Sequence, residues 1–411
     1  MSSSTATALP VPLRQDAGVI GLVGIAHMVS HFCQLLLPPL FPWLKDAFQV
    51  GYTELGFLMT VFFAVSCVVQ TASGFLVDRF GPLPVLLGGL GMLATAALGF
   101  ASAGSYPMLV VFAAVAGTGN GVFHPVDYTV INRKVSPPRL GHAYSVHSVS
   151  GSLGWAVAPA LLVPLAVAFS WRVALVAAAL VVCSVWLLVW LQRERLSLTP
   201  AADTDRDSSR AHVQEESSLA FLRLPAVWMC WGFFFLSASA LSAVQAFAPE
   251  AARQLHDVPV ALVAVCLTVY MLSSAGGGVI GGFLVGDGMR SERIIAMAIA
   301  AAVALALLVA LMPLPAFAIP VLFGAMGLAV GVAGPSRDLI IKKSTPPHAS
   351  GRVYGVVYSG LDIGQAVAPL FFGPLMDGHF YQAVWLSLAG VQVAMMFTAV
   401  NVRRVAGVKP G

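Results

Sequence analysis

Apolar residues run along this chain in blocks of about twenty, separated by short polar turns. A helix needs about 20 apolar residues to cross a bilayer. Twelve blocks meet that length: about 18–41, 53–77, 83–103, 107–131, 142–166, 171–191, 224–248, 259–285, 292–312, 316–340, 352–375 and 380–402. They lack strict alternation and are far too long for the strands of a membrane barrel. The pattern predicts an all-α membrane protein with 12 transmembrane helices. One polar stretch, 192–222, is longer than the others and holds Arg193, Glu194, Asp203, Asp205, Arg206, Asp207, Glu215 and Glu216. It divides the helices six and six and reads as a mobile linker carrying a surface helix. The expected layout is a tail (1–17), a six-helix bundle (18–191), the linker (192–222), a second six-helix bundle (223–403) and a final tail (404–411).

The two halves repeat. At a constant offset of 210, Pro125 matches Pro335, Pro137 matches Pro347, Gly141 matches Gly351 and Tyr144 matches Tyr354. Gly154 matches Gly364, and Ala156-Val-Ala-Pro159 matches Ala366-Val-Ala-Pro369. A gap-free register over some forty residues implies two homologous halves, hence two pseudo-symmetric six-helix bundles.

Composition agrees with this reading. Hydrophobic residues make up 58% and charged residues 10%, against about 25% charged in a soluble domain. Mean hydropathy is +0.86. The net charge of +4 is too small to suggest a nucleic-acid partner, and its meaning is topological. With the N-terminus inside, eighteen Lys and Arg residues fall on the inner side and only Lys45, Arg172 and Arg253 on the outer. The positive-inside rule then puts both termini in the cytoplasm, in a multi-pass protein of the inner (cytoplasmic) membrane. The five cysteines lie in apolar blocks without metal-ligand spacing and read as small buried hydrophobes. The first residues lack a cationic region before an apolar core, so no cleaved signal peptide is expected.

Ionisable residues inside the apolar blocks are costly, and by default they are functional candidates. They are His27, His31, His124, Asp127, His147, Arg337 and Asp362. His27, His31 and Gln34 share a face of the first segment by i, i+4, i+7 spacing. Asn120, His124, Asp127 and Tyr128 fall on the fourth, where Gly117, Gly119 and Gly121 permit close approach and Pro125 predicts a kink. His124 and Asp127 are positioned to share a proton or build a structural network. Asp127 matches Arg337 in the repeat, which suggests a charge pair that closes and opens the cytoplasmic side. Asp338 beside Arg337 is the rival partner. Tyr358, Asp362 and Gln365 share a face of the eleventh segment. Asp362 is the deepest carboxylate, matches Ser152 in the first half, and is the first candidate for a proton carrier; the alternative is a permanent structural pair with Arg337 or a histidine. His147 lies one turn before Gly151 and Gly154. Two histidines and a glutamine on the first segment, without a nearby thiol or carboxylate, do not suggest a metal site. No cofactor is expected. Glu54 and Glu250 sit at the outer edge, where solvation is expected.

The loop after the second segment, Gly74-Phe-Leu-Val-Asp78-Arg79-Phe-Gly81, resembles the signature of major facilitator transporters. Two parallel six-helix halves are the arrangement of that superfamily. His31-Phe-Cys-Gln34, Leu37-Pro-Pro-Leu-Phe-Pro42, Tyr52-Thr-Glu-Leu-Gly56 and Gly117-Thr-Gly-Asn-Gly-Val-Phe-His124-Pro125 resemble its fosmidomycin resistance branch, mainly over the N-terminal half. The chain departs from that branch after His124-Pro125, where Val126 precedes the acidic Asp127. The resemblance implies a cavity between the halves, lined by the first segment. His27, His31, Gln34, Asn120, His147, Tyr358, Gln365 and Arg337 are its expected lining. It implies a gate at Gly74, Asp78, Arg79 and Gly81, with Asp78 near the start of the eleventh helix, where a carboxylate suits the helix dipole. Asp362, Asp127 and His124 are then the expected proton-coupling groups.

The resulting expectation is a monomeric secondary transporter in a lipid bilayer. It would move a small molecule by alternating access in a proton-coupled antiporter cycle, with efflux favoured; the alternative is proton-coupled uptake of an organic anion. The chain contains no nucleotide-binding glycine loop and no large soluble domain, so ATP drive is not expected. It lacks His-Glu-x-x-His and Gly-x-Ser-x-Gly, so an intramembrane enzyme is not indicated. A 31-residue linker is too small for a sensor's signalling domain.

Overall fold

The computed structural model describes the backbone of residues 13–198, 225–284, 288–344 and 350–405; side chains are described except at 226, 288–291, 337–344, 350–356, 358 and 399–405. Ten helical stretches among the described residues are long and apolar enough to cross a membrane. They comprise α1 (Leu13–Gln34) with α2 (Phe41–Phe48), α3 (Tyr52–Phe80), α4 (Pro82–Ser102), α5 (Tyr106–Asn120) with α6 (Phe123–Lys134), α7 (Leu140–Ala168), α8 (Trp171–Leu191), and then, beyond the one-turn α9 (Arg193–Leu196), α10 (Pro225–Ala246), α12 (Val260–Leu284), α13 (Gly288–Leu311) and α14 (Ala318–Ser344). Between α10 and α12 runs the short α11 (Ala248–His256). Two further long helices, α15 (Ser350–Asp377) and α16 (Tyr381–Val405), are consistent with the predicted twelve crossings. Of the expected linker and tails, 1–12, 199–222 and 406–411 lie outside the described residues.

Two predicted helices are broken. The first ends at Gln34, where Pro38 and Pro39 follow, and resumes as α2. The fourth breaks at Gly121 and Val122, before the proline that predicted its kink. Pro125 has no N–H to donate to the preceding turn, so it is accommodated in the first turn of a new helix. The break sends Asn120 and Asp127 into different surroundings.

The repeat is visible in side-by-side backbones. A Cβ on Gly117 would meet the Phe62 carbonyl oxygen, and one on Gly121 the Ser66 carbonyl oxygen. In the second half, Gly327 abuts the Tyr270 carbonyl and Gly331 the Ser274 carbonyl. Gly154 against Met28 is repeated by Gly364 against Phe235. Lipid offers no hydrophobic driving force between helices, so their association depends on such close backbone contact. The symmetric glycines therefore build the two bundles.

The bundles meet along α3 against α15 and α7 against α12. Thr60 donates to the Ala366 carbonyl at 2.7 Å, and Thr268 to the Ala156 carbonyl at 3.3 Å. On the face opposite the N-terminus the α3–α15 seam is latched. Asp377, at the end of α15, accepts from the Tyr52 N–H at 2.6 Å, the Thr53 N–H at 2.8 Å and the Thr53 hydroxyl at 2.6 Å. A carboxylate from one half thus caps a helix N-terminus in the other. Asp377→Ala should weaken this seam by about 2–4 kcal/mol. A lower thermal unfolding midpoint in detergent, partly recovered by Asp377→Asn, is the expected result. Glu250, expected at the solvated edge, is instead buried, with both carboxylate oxygens 2.7 Å from the Arg253 guanidinium. The pairing explains its burial. Glu54 is exposed, as expected.

Candidate functional site

Three helices of the first half gather four histidines and one carboxylate into a cluster. His27 and His31 lie one turn apart on α1, with ring centroids 4.4 Å apart and the rings tilted at 51°. His124 and Asp127 come from α6, and His147 from α7. Asp127 is fully buried, His27 is 2% exposed and His147 5%. Asp127 Oδ2 lies 3.0 Å from His27 Nδ1 and 3.0 Å from His147 Nε2. The rings of His27 and His147 stack with centroids 3.6 Å apart. His124 lies 5.3 Å from His27, ring to ring. Gly151 makes the room: a Cβ there would fall 2.7 Å from His31 Cε1 and 3.1 Å from His27 Nε2. Gly151 and Gly154 thus have local reasons in the imidazoles and in the Met28 carbonyl.

Asp127 draws its partners from its own half. The expected approach to Arg337 concerns a side chain outside the described residues. His27, His31, His124 and His147, called separately from three segments, form one cluster. Two trios have ligand atoms within 4.8 Å of one another, close enough to share a metal ion: His27, His31 and His124, and His27, Asp127 and His147. The reasoning that the first segment has no carboxylate nearby fails, because folding places Asp127 beside His27.

Asn120 joins a second network. Its Oδ1 accepts from the Ser30 hydroxyl at 2.8 Å and from Gln34 Nε2 at 3.2 Å, while its Nδ2 donates to the Ser66 hydroxyl at 2.8 Å. Trp155 Nε1 donates to Gln34 Oε1 at 2.9 Å. All of Ser30, Gln34, Ser66 and Asn120 are buried. Asn120→Leu would strand three polar groups and should cost about 3 kcal/mol or more of stability, read as a fall in thermal unfolding midpoint.

A third connection crosses between the halves. Gln70 on α3 pairs its Oε1 with His124 Nδ1 at 3.0 Å and donates from Nε2 to Asp362 Oδ2 on α15 at 3.2 Å. Asp362 is therefore tied to the histidine cluster through one side chain. Sequence reasoning missed Gln70, Ser30, Ser66 and Trp155. A signal was present for α3: Ser66, Gln70 and Ser73 recur at i, i+4, i+7 in an otherwise apolar helix.

The remaining predicted residues are dispersed. Gln365 is buried against α10, 3.5 Å from Gln245. The Tyr358 side chain lies outside the described residues. Gly81 has φ +82°, a conformation that glycine tolerates and that ends α3 sharply, so the loop's last glycine has a backbone reason. Gly74 does not share one: a Cβ there meets nothing within 4 Å. Asp78 and Arg79 are exposed, with Arg79 over the Phe80 ring at 5.2 Å. The start of α15, the expected partner of Asp78, has its side chains outside the described residues.

Helical halves related by an internal repeat, meeting along two seams and holding buried polar groups near their contact, define a membrane transporter. The profile of the Major Facilitator Superfamily matches residues 23–369, and the chain belongs to that superfamily. It is 30% identical over 158 residues to the fosmidomycin resistance protein of Escherichia coli (strain K12), covering 38% of each chain. It is 30% identical over 177 residues to the MFS-type transporter YfnC of Bacillus subtilis (strain 168), covering 42% of this chain and 43% of that one. The matches thus span less than half the length of these relatives. Among solved structures, a mutant form of the nucleoside transporter NupG superposes with a TM-score of 0.74 at 13% identity, over 93% of this chain and 99% of that one.

Proposed function

We propose that this protein is a proton-coupled exporter of a small organic molecule, working as a monomer by alternating access in the inner membrane with both termini cytoplasmic. The bundles at 18–191 and 223–403 are the moving bodies and 192–222 their linker. The observation that carries the proposal is the chain Asp362–Gln70–His124. It joins Asp362, the carboxylate in the middle of α15, to the histidines of the first half, across the seam that must shear when the bundles rock. Protonating Asp362 changes what it offers Gln70, from an acceptor to a possible donor. That gives the proton a direct purchase on the contact between halves. Export is supported by the name of the fosmidomycin resistance relative, and the inner face by the eighteen basic residues on the N-terminal side.

The test is substrate-triggered proton movement in proteoliposomes, using a panel that contains fosmidomycin and simple organic anions. Proton movement opposite in direction to the substrate supports antiport and export. Movement in the same direction supports uptake of an organic anion instead. Transport without proton movement rejects the coupling.

A further inference from the structure

We infer that His27, Asp127 and His147 form a binding site for a late first-row divalent cation such as zinc or cobalt. Four ligands at 2.0–2.1 Å from a tetrahedral zinc ion stand about 3.3 Å from one another. Asp127 Oδ2 already stands 3.0 Å from His27 Nδ1 and 3.0 Å from His147 Nε2, near that edge length on both sides. Two buried atoms of the trio lack a hydrogen-bond partner: His27 Nδ1, whose near contact is Asp127 Oδ2, and Asp127 Oδ1, the carboxylate's other oxygen. A buried polar atom without a partner is unfavourable; a cation held by Oδ2 would satisfy His27 Nδ1 directly and neutralise the buried carboxylate. Two imidazoles with one carboxylate suit zinc, cobalt or nickel; magnesium and calcium prefer oxygen-only shells. Three ligands leave a tetrahedral ion one further position, and His31 and His124 lie next to His27, with ring centroids 4.4 and 5.3 Å away. Tyr128, 42% exposed, borders the cluster with its ring 5.3 Å from His147.

The inference does not depend on the transport reading, because binding is measured at equilibrium without substrate or gradient. Full-length protein is purified through a tag without histidine, stripped with chelator, and titrated with Co²⁺ and then Zn²⁺. The expected result is one equivalent of Co²⁺ bound at micromolar concentration, with the intense visible bands of low-coordinate cobalt, displaced by Zn²⁺. Asp127→Asn should weaken binding about 100-fold or more, and His147→Gln likewise, in protein that remains monodisperse. Having two variants keeps the test decisive if one fails to fold. Absence of stoichiometric binding in the parent overturns the site. So does binding that survives Asp127→Asn and His147→Gln unchanged, including the case in which His31→Gln abolishes it and the ion belongs to the other trio.

Discussion

Gly117→Leu should leave little folded protein in the membrane. The Cβ would meet the carbonyl oxygen, carbonyl carbon and Cα of Phe62, all backbone atoms of α3. A side-chain neighbour can rotate away, whereas a helix backbone must move as a body. Overpacking a core by extra methylenes costs about 1–3 kcal/mol where side chains can adjust. Here the whole α3–α5 seam would have to open, so we expect more than about 4 kcal/mol, in the range of single changes that prevent folding. Gly327→Leu, the repeat partner against Tyr270, should behave the same way. Gly74→Ala is the control. With nothing within 4 Å of its added Cβ, it should stay within about 0.5 kcal/mol of the parent. Yield of monodisperse protein in detergent and its unfolding midpoint read all three. Equal yields for Gly117→Leu and Gly74→Ala would show that the close approach does not hold the bundle.

Gln70→Leu should remove most gradient-driven transport while leaving the fold in place. The substitution keeps a side chain of similar size in α3 but takes away both the pairing with His124 and the donor to Asp362. Hydrogen bonds to a charged group contribute about 1.5–3 kcal/mol. At 1.4 kcal/mol per tenfold, their loss at the moving seam corresponds to at least about a tenfold drop in rate. Gln70→Glu retains the length but sets a second carboxylate beside Asp362, and like charges at that distance resist sharing a site. It should be as impaired as the leucine variant. Initial rates of substrate accumulation in proteoliposomes measure both. Parental rates in Gln70→Leu would show that the bridge is not part of the cycle.

Much of the architecture was legible because membranes allow so little else. Every backbone group must be satisfied inside lipid, so long apolar blocks can only be helices. The 210-residue offset carried over into paired glycine contacts, Gly117 with Gly327 and Gly154 with Gly364. Helix faces were also readable, and His27 does lie one turn from His31. What a helical period does not contain is rotation and depth relative to other helices. That is why His27, Asp127 and His147 read as three separate candidates and became one cluster. Two breaks changed the rest. Ending α5 at Asn120 turned it toward Ser30 and Ser66 and away from Asp127. Gln70 was overlooked because no ionisable residue marks its face in mid-helix; its neighbours there are Ser66 and Ser73. Its importance comes from Asp362, 292 positions along the chain.

The coupling role of Asp362 is tested most directly by comparing two assays on Asp362→Asn in the same proteoliposomes. Counterflow exchanges substrate for substrate and requires the bundles to rock, but no net proton movement. Accumulation driven by an imposed pH gradient requires both. Asp362→Asn should retain counterflow within a few-fold of the parent and lose its dependence on the gradient. Equal dependence on the pH gradient in the variant and the parent would contradict that role.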